Sequence, residues 1–198
     1  MSFICLSISV ASSEDVRPAL EAAESGRREG ARLVEWRVDA LAEEPGGADA
    51  IATLLRESPL PGILTCRARR EGGAYEGDDT DRVSLIEAIG TSDDPPRYID
   101  FELADYQRSA NLRQKINLVV EHDRQAREVS TGLILSSHDF EGRPSDLTQR
   151  VTAMAEFDAA SVAKIVWHAR SLRDNLEAFE LLAQRVKPTI ALCMGVFG

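Results

Sequence analysis

Lysine is rare in this chain: of 23 basic residues only Lys115, Lys164 and Lys187 are lysines. Where arginine carries the general positive charge, each lysine is an informative choice. Lys164 lies within Val162-Ala163-Lys164-Ile165-Val166, an apolar run that should strip it of water. Desolvation, helped by cations such as Arg37 or Arg67, is expected to depress its pKa and leave the neutral amine that adds to a ketone. The competing reading is a buried strut paired with Glu35 or Glu102, and position alone does not separate the two. His138, followed by Asp139, is a candidate general acid-base because imidazole titrates near neutrality. A lone histidine is more often a capping or core residue, but an imine-forming amine one strand away needs a proton carrier beside it. His122 reads as a helix-surface residue and His168 as a strand-to-helix loop residue.

Other charged residues cluster in the same kind of place, at the ends of short apolar runs. The runs close on Glu35-Trp36-Arg37-Val38-Asp39, on Thr65-Cys66-Arg67 with Arg69, Arg70 and Glu71-Gly72-Gly73 beyond it, on Asp100-Phe101-Glu102, and on Ser136-Ser137-His138-Asp139-Phe140. Charges inside apolar strands are costly unless paired or used. Arg37 and Arg67 suit bidentate contacts to hydroxyls and carboxylates, and Glu35, Glu71 and Glu102 can orient His138, Lys164 or substrate hydroxyls. For Asp39, Asp100, Arg69 and Arg70 an internal ion-pair network is the better expectation. Gly72-Gly73 suggests a turn that could hinge a lid.

The elements that must position these residues repeat as strand and helix. Apolar, β-branched-rich runs begin near Phe3, Leu33, Gly62, Arg97, Gly132, Ser161 and Thr189, with successive starts 30, 29, 35, 35, 29 and 28 residues apart. That is about one βαβ repeat each. The runs are continuous rather than alternating, as in parallel strands buried on both faces, and the start of the chain reads as such a strand. Helices are predicted around Val16, Leu20 and Ala23 after an N-cap at Ser13, ending at Gly26 or Gly30; around Ile51, Leu54 and Leu55; and around Val83, Ile86 and Ile89, capped by Asp79 and stopped near Gly90. Further helices carry Leu112, Ile116 and Val119, followed by a polar stretch through Arg127; Leu147, Val151 and Met154 after Pro144-Ser145; and Leu172, Leu176 and Phe179 after Ser171, closed by Pro188. A doubly wound sheet would place a glycine-rich turn after the first strand, and Val10-Ala11-Ser12-Ser13 is not one. Even spacing favours an α/β (β/α)₈ TIM barrel, of which about seven strands are present, over residues 1–198 as a single domain.

Composition bounds the partners. At 198 residues, 43% hydrophobic and 28% charged, the chain is an ordinary globular protein. A formal charge of −10 argues against nucleic acid and against an anionic membrane surface, without excluding a local cationic pocket. The three cysteines, Cys5, Cys66 and Cys193, are odd in number and far apart, which disfavours disulfides and zinc and points to a reducing cytoplasm. The start MSFICLSISV lacks the basic flank of a secretory signal, and no window reaches the length of a membrane span.

Taken in order, Glu35-Trp36-Arg37-Val38-Asp39, Thr65-Cys66-Arg67 with Glu71-Gly72-Gly73, Asp100-Phe101-Glu102, Ser137-His138-Asp139-Phe140, Ala163-Lys164-Ile165 and Met194-Gly195 resemble the type I 3-dehydroquinate dehydratase family along the whole chain. The resemblance implies a lyase of the shikimate pathway, serving aromatic amino acid biosynthesis, that converts 3-dehydroquinate to 3-dehydroshikimate through a lysine Schiff base. It assigns Lys164, His138 and Glu71 as catalytic, and Glu35, Arg37 and Arg67 as holding the ring hydroxyls. It implies no metal and no organic cofactor, a small-molecule substrate, and for many members a homodimer. In the family the Met-Gly motif runs into a Ser-Arg pair whose arginine grips the substrate carboxylate; here Val196-Phe197-Gly198 follows. An incomplete barrel with weak or absent turnover is the resulting expectation. Two other functions stay open on the residues: another class I, aldolase-type Schiff-base barrel, or a catalytically impaired remnant that acts as an assembly module.

Overall fold

A computed structural model describes residues 3–126 and 130–198, with the backbone alone over 122–126. The polar stretch expected through Arg127 and the side chain of His122 lie outside the described residues, although His122 falls within a helix. Among the described residues seven strands form one sheet: β1 Cys5–Ser9, β2 Leu33–Arg37, β3 Gly62–Thr65, β4 Tyr98–Glu102, β5 Gly132–Asp139, β6 Ala160–His168 and β7 Thr189–Met194. The strands are parallel and adjacent in chain order from β1 to β7, so the order never reverses as it would in a doubly wound sheet. The sheet curls as a half-barrel of the TIM type, with helices on its outer side.

Those helices are α1 Val16–Arg28, α2 Gly47–Arg56, α3 Asp79–Gly90, α4 Leu103–Arg108, α5 Ala110–Ala126, α6 Leu147–Glu156 and α7 Arg173–Gln184. The outward residues of the strands pack against them. Val34, Trp36 and Leu64 meet Ala19, Ala23, Ile51 and Leu54. Further along, Ile99, Phe101, Leu133 and Leu135 meet Val83, Ile86, Ile116 and Met154, while Ile165 and Trp167 meet Leu147 and Ala178. The opposite, inward row begins with an apolar floor of Ile63, Ile134 and Val162, closed by Tyr98 and Ile190. One pleat higher the inward row turns polar, which is where chemistry can sit.

Several expectations are corrected. The first strand is not buried on both faces. Cys5, Ser7 and Ser9 are exposed, because β1 is an edge strand with no neighbour on its far side among the described residues. Helix α7 does not bury its apolar row: Leu172, Leu176 and Phe179 are 74%, 60% and 64% exposed, and the helix seats Ala178 instead. His168 is the last residue of β6 rather than a loop residue. Ser12, not Ser13, forms the capping box with Asp15 ahead of α1, and Asp78, not Asp79, caps α3 by accepting from Thr80 N–H. Gly26 lies inside α1 against Leu6, and Gly30, at φ +110°, follows the helix end. Helix α4 went unforeseen.

Candidate active site

Lys164 is inward-facing on β6 and 8% exposed. Its Nζ donates to Glu35 Oε1 at 2.6 Å and to Asp100 Oδ2 at 3.1 Å. Burial by itself favours the neutral amine, but Asp100 and Glu35 outweigh it and hold the Lys164 pKa above its ordinary value. The expected depression is therefore wrong for this state. Of the cations named for it, Arg67 does work against the ammonium while its guanidinium is turned to Asp100 and Glu102, and Arg37 is turned to Asp39. The strut reading was right about Glu35; its second acid is Asp100 rather than Glu102.

Asp100 is buried on β4 and flanked by three donors. Arg67 NH2 reaches its Oδ1 at 2.8 Å, Ser136 Oγ reaches the same oxygen at 2.6 Å, and Lys164 takes the other. Burial alone would raise its pKa, yet Arg67 and Lys164 hold it well below the usual carboxylate range. Glu35 is similarly held down: burial opposes ionisation, while Lys164 and the Thr65 hydroxyl, which donates at 2.9 Å, favour it. Arg67, 2% exposed, also donates from NH1 to Ser136 Oγ at 2.7 Å and pairs with Glu102 Oε1 at 3.3 Å. Here it braces Asp100. Arg37 donates to both oxygens of Asp39, whose carboxylate also accepts the Arg67 and Ala74 N–H groups.

One pleat above Lys164, His138 lies on the same inward face of β5. Glu71 Oε2 accepts the His138 backbone N–H at 3.1 Å and sits 3.1 Å from Nδ1. A carboxylate there favours the tautomer with hydrogen on Nδ1 and leaves Nε2 free to carry a proton. Glu71 comes from the turn Arg69–Glu71 after β3, and two glycines shape the approach. Gly72 adopts φ +76° under the Phe140 ring, and a Cβ on Gly73 would lie 1.9 Å from the Arg67 carbonyl oxygen. Arg69 pairs with Glu76, and Arg70 with Asp79 and Asp105, as an ion-pair network would have it. Among the described residues no group of three His, Cys, Asp or Glu side chains could hold a metal ion.

The structure thus brings together Lys164, Glu35, Arg67, His138 and Glu71, with Arg37 at the rim, draws Asp100 in among them, and adds one residue that sequence reasoning does not reach, Arg82. Asp100, an acid between Ile99 and Phe101, does belong to an ion-pair network, and that network is the one that holds Lys164. Arg82 lies on α3, away from the strand ends. It stands four residues before Ile86 and seven before Ile89, on the face of α3 that those residues bury, and that spacing was its signal.

The family model described as type I 3-dehydroquinase matches residues 4–198. The chain belongs to the type I 3-dehydroquinase family. A 3-dehydroquinate dehydratase of Syntrophobacter fumaroxidans is 33% identical over 206 residues, covering all of this chain and 79% of that protein. One from Methanosarcina acetivorans is 30% identical, with 82% of this chain aligned to 64% of its length. The bifunctional 3-dehydroquinate dehydratase/shikimate dehydrogenase of Arabidopsis thaliana is 31% identical, with 85% of this chain aligned to 26% of its length. In three dimensions, the 3-dehydroquinate dehydratase of Geobacillus kaustophilus superposes with a TM-score of 0.75 at 26% identity, covering 100% of this chain and 76% of that one. The lysine sits in the middle of β6, and the carboxylate-backed histidine lies above it near the C-terminal end of β5.

Proposed function

We propose that this protein dehydrates 3-dehydroquinate to 3-dehydroshikimate, in the shikimate pathway of aromatic amino acid biosynthesis, through an imine on Lys164. The observation that carries the reading is the Lys164 amine, nearly buried, one pleat below the His138–Glu71 pair. The resting ammonium must first lose a proton, and Glu35 at 2.6 Å is placed to take it. The amine then adds to the C3 ketone and water leaves, giving an iminium. His138 removes a C2 proton, and the electron pair passes into the iminium to form an enamine. The enamine expels the C1 hydroxyl as water with the proton returned by His138, and hydrolysis of the imine frees product and Lys164. Over the cycle one water is lost and no electrons are exchanged. Glu71 keeps His138 in the productive tautomer, and Glu35, Arg37 and Arg67 hold ring hydroxyls. The chemistry needs no metal or organic cofactor.

Borohydride reduction in the presence of 3-dehydroquinate, followed by peptide mass analysis, tests this. A stable adduct on Lys164 is expected, absent in Lys164→Ala. His138→Ala should keep the adduct while losing turnover; normal turnover in that variant would remove His138 from its role.

Three further readings belong with the proposal. Residues 1–198 act as one barrel domain. Self-association is supported by the exposed apolar row of α7. The reducing cytoplasm as compartment rests on three unpaired cysteines, two of them buried. Among the described residues no helix is long and apolar enough to cross a membrane.

A further inference from the structure

Lys164 stands at the inner end of a row of alternating charges that runs outward through the barrel wall. Asp100 holds Lys164 at 3.1 Å, Arg67 holds Asp100 at 2.8 Å, and Glu102 faces Arg67 at 3.3 Å. Beyond them Arg82 NH1 donates to Glu102 Oε2 at 2.7 Å and to the Cys66 carbonyl at 3.1 Å. Its NH2 reaches Asp105 at 2.9 Å and Asp79 at 3.2 Å, acids shared with Arg70 and Arg108 near the surface. The Arg82 side chain is fully buried, its guanidinium lies 5.0 Å from the Phe101 ring centroid, and its Nε has no hydrogen-bond partner among the described residues.

Glu102 is thus claimed from two sides. We propose that Arg82 is a positioning residue: by holding Glu102 from the helix side it leaves Arg67 to Asp100, and so sets how firmly Asp100 grips the Lys164 ammonium. Without Arg82, Glu102 would be a buried carboxylate with Arg67 as its remaining cation. Arg67 would turn toward Glu102, Asp100 would lose part of its compensation, and its hold on Lys164 would tighten. The amine would then form at higher pH. The charged and titratable groups around Lys164 among the described residues are Cys5 on β1, Glu35 on β2, Arg67 beyond β3, Asp100 on β4 and, one pleat above it on β5, His138 backed by Glu71. Of these, Arg67 and Asp100 lie on the row that reaches Arg82.

The inference rests on Lys164 being the imine-forming amine, but its test does not need the substrate. Trace acylation of Lys164 by acetic anhydride, read by peptide mass analysis across pH in the whole chain, gives the midpoint at which the amine appears. Arg82→Met should raise that midpoint by about one pH unit, a loss of about tenfold in acylation at any fixed pH below it. Arg82→Lys, which keeps the charge but not the fork, should move it less in the same direction. Arg82→Met combined with Glu102→Gln removes both charges and should bring the midpoint back to the wild-type value or below. A purely structural role would lower the melting temperature and leave the midpoint alone. An unchanged midpoint in Arg82→Met or Arg82→Lys, whichever folds, would overturn the inference, and so would a double variant whose midpoint lies above the wild-type value. Failure of 3-dehydroquinate to form an adduct, scored separately, would count against the proposed reaction and not against this coupling.

Discussion

At the scale of single residues the site is held by charges that have no water to fall back on. Removing Lys164 leaves Glu35 and Asp100 facing each other without their shared cation. Breaking a buried pair in this way typically costs about 3–5 kcal/mol, so Lys164→Ala should lower the denaturant midpoint as well as abolish the adduct. The pH dependence has a definite sign. The raised pKa of Lys164 gives stability that is fully present below its unfolded value, about 10.4, and lost as pH rises through the folded value. Asp100, held below its ordinary value, gives stability that is present above about 3.9 and lost as pH falls through the folded value. Unfolding followed across pH should show both losses, and Lys164→Ala should abolish the alkaline one. For Glu71→Gln we expect the adduct to persist while turnover falls by about 10²–10⁴, the usual worth of a general acid-base; unchanged turnover would show that His138 needs no carboxylate behind it. Lys164 and His138 were legible from their surroundings in the sequence. The state of Lys164 was not, because two acids from β2 and β4, 129 and 64 residues away, decide it.

Elements position these residues through backbone as much as through side chains. The turn carrying Glu71 closes by hydrogen bonds from Glu71, Gly72 and Gly73 back to Ala68 and Arg69. Any side chain on Gly73 must push against the Arg67 carbonyl, so Gly73→Ala should displace Glu71 from His138. Turnover is expected to fall in that variant while borohydride trapping on Lys164 survives; turnover at the wild-type rate would mean that the turn tolerates the shift. Strands and long helices were readable because each repeats an apolar pattern over many residues. Helix α4 spans only six residues, Leu103–Arg108, too short for a period to show. The exposure of β1 and of the Leu172, Leu176 and Phe179 row follows from which neighbours lie beside them, a property of topology that a local run of apolar residues does not encode.

For the molecule as a whole, charge and exposed apolar surface act in opposition. The formal charge of −10 favours separate molecules. The row on α7, with Val186, Val196 and Phe197 nearby in sequence and also exposed, favours association. Sedimentation velocity over a range of concentrations should show reversible self-association that strengthens with added salt as repulsion is screened. Replacing Leu176 and Phe179 by glutamate should abolish it without lowering the melting temperature, since both side chains are already in water. A single concentration-independent species in the wild-type chain would dismiss the idea.

The open edge at β1 has a practical consequence. Cys5 is exposed and shares the inward row of β1 with Ser7 and Ser9, in register with Leu33, Glu35 and Arg37, while Cys66 and Cys193 are buried. A thiol-directed spin label or fluorophore should therefore settle on Cys5 alone, on the inner wall one strand from Glu35, and faster at alkaline pH because burial and Glu35 push that thiol up to about 11. Its signal would follow ligand entry and departure in real time, giving a spectroscopic view of occupancy that needs no turnover.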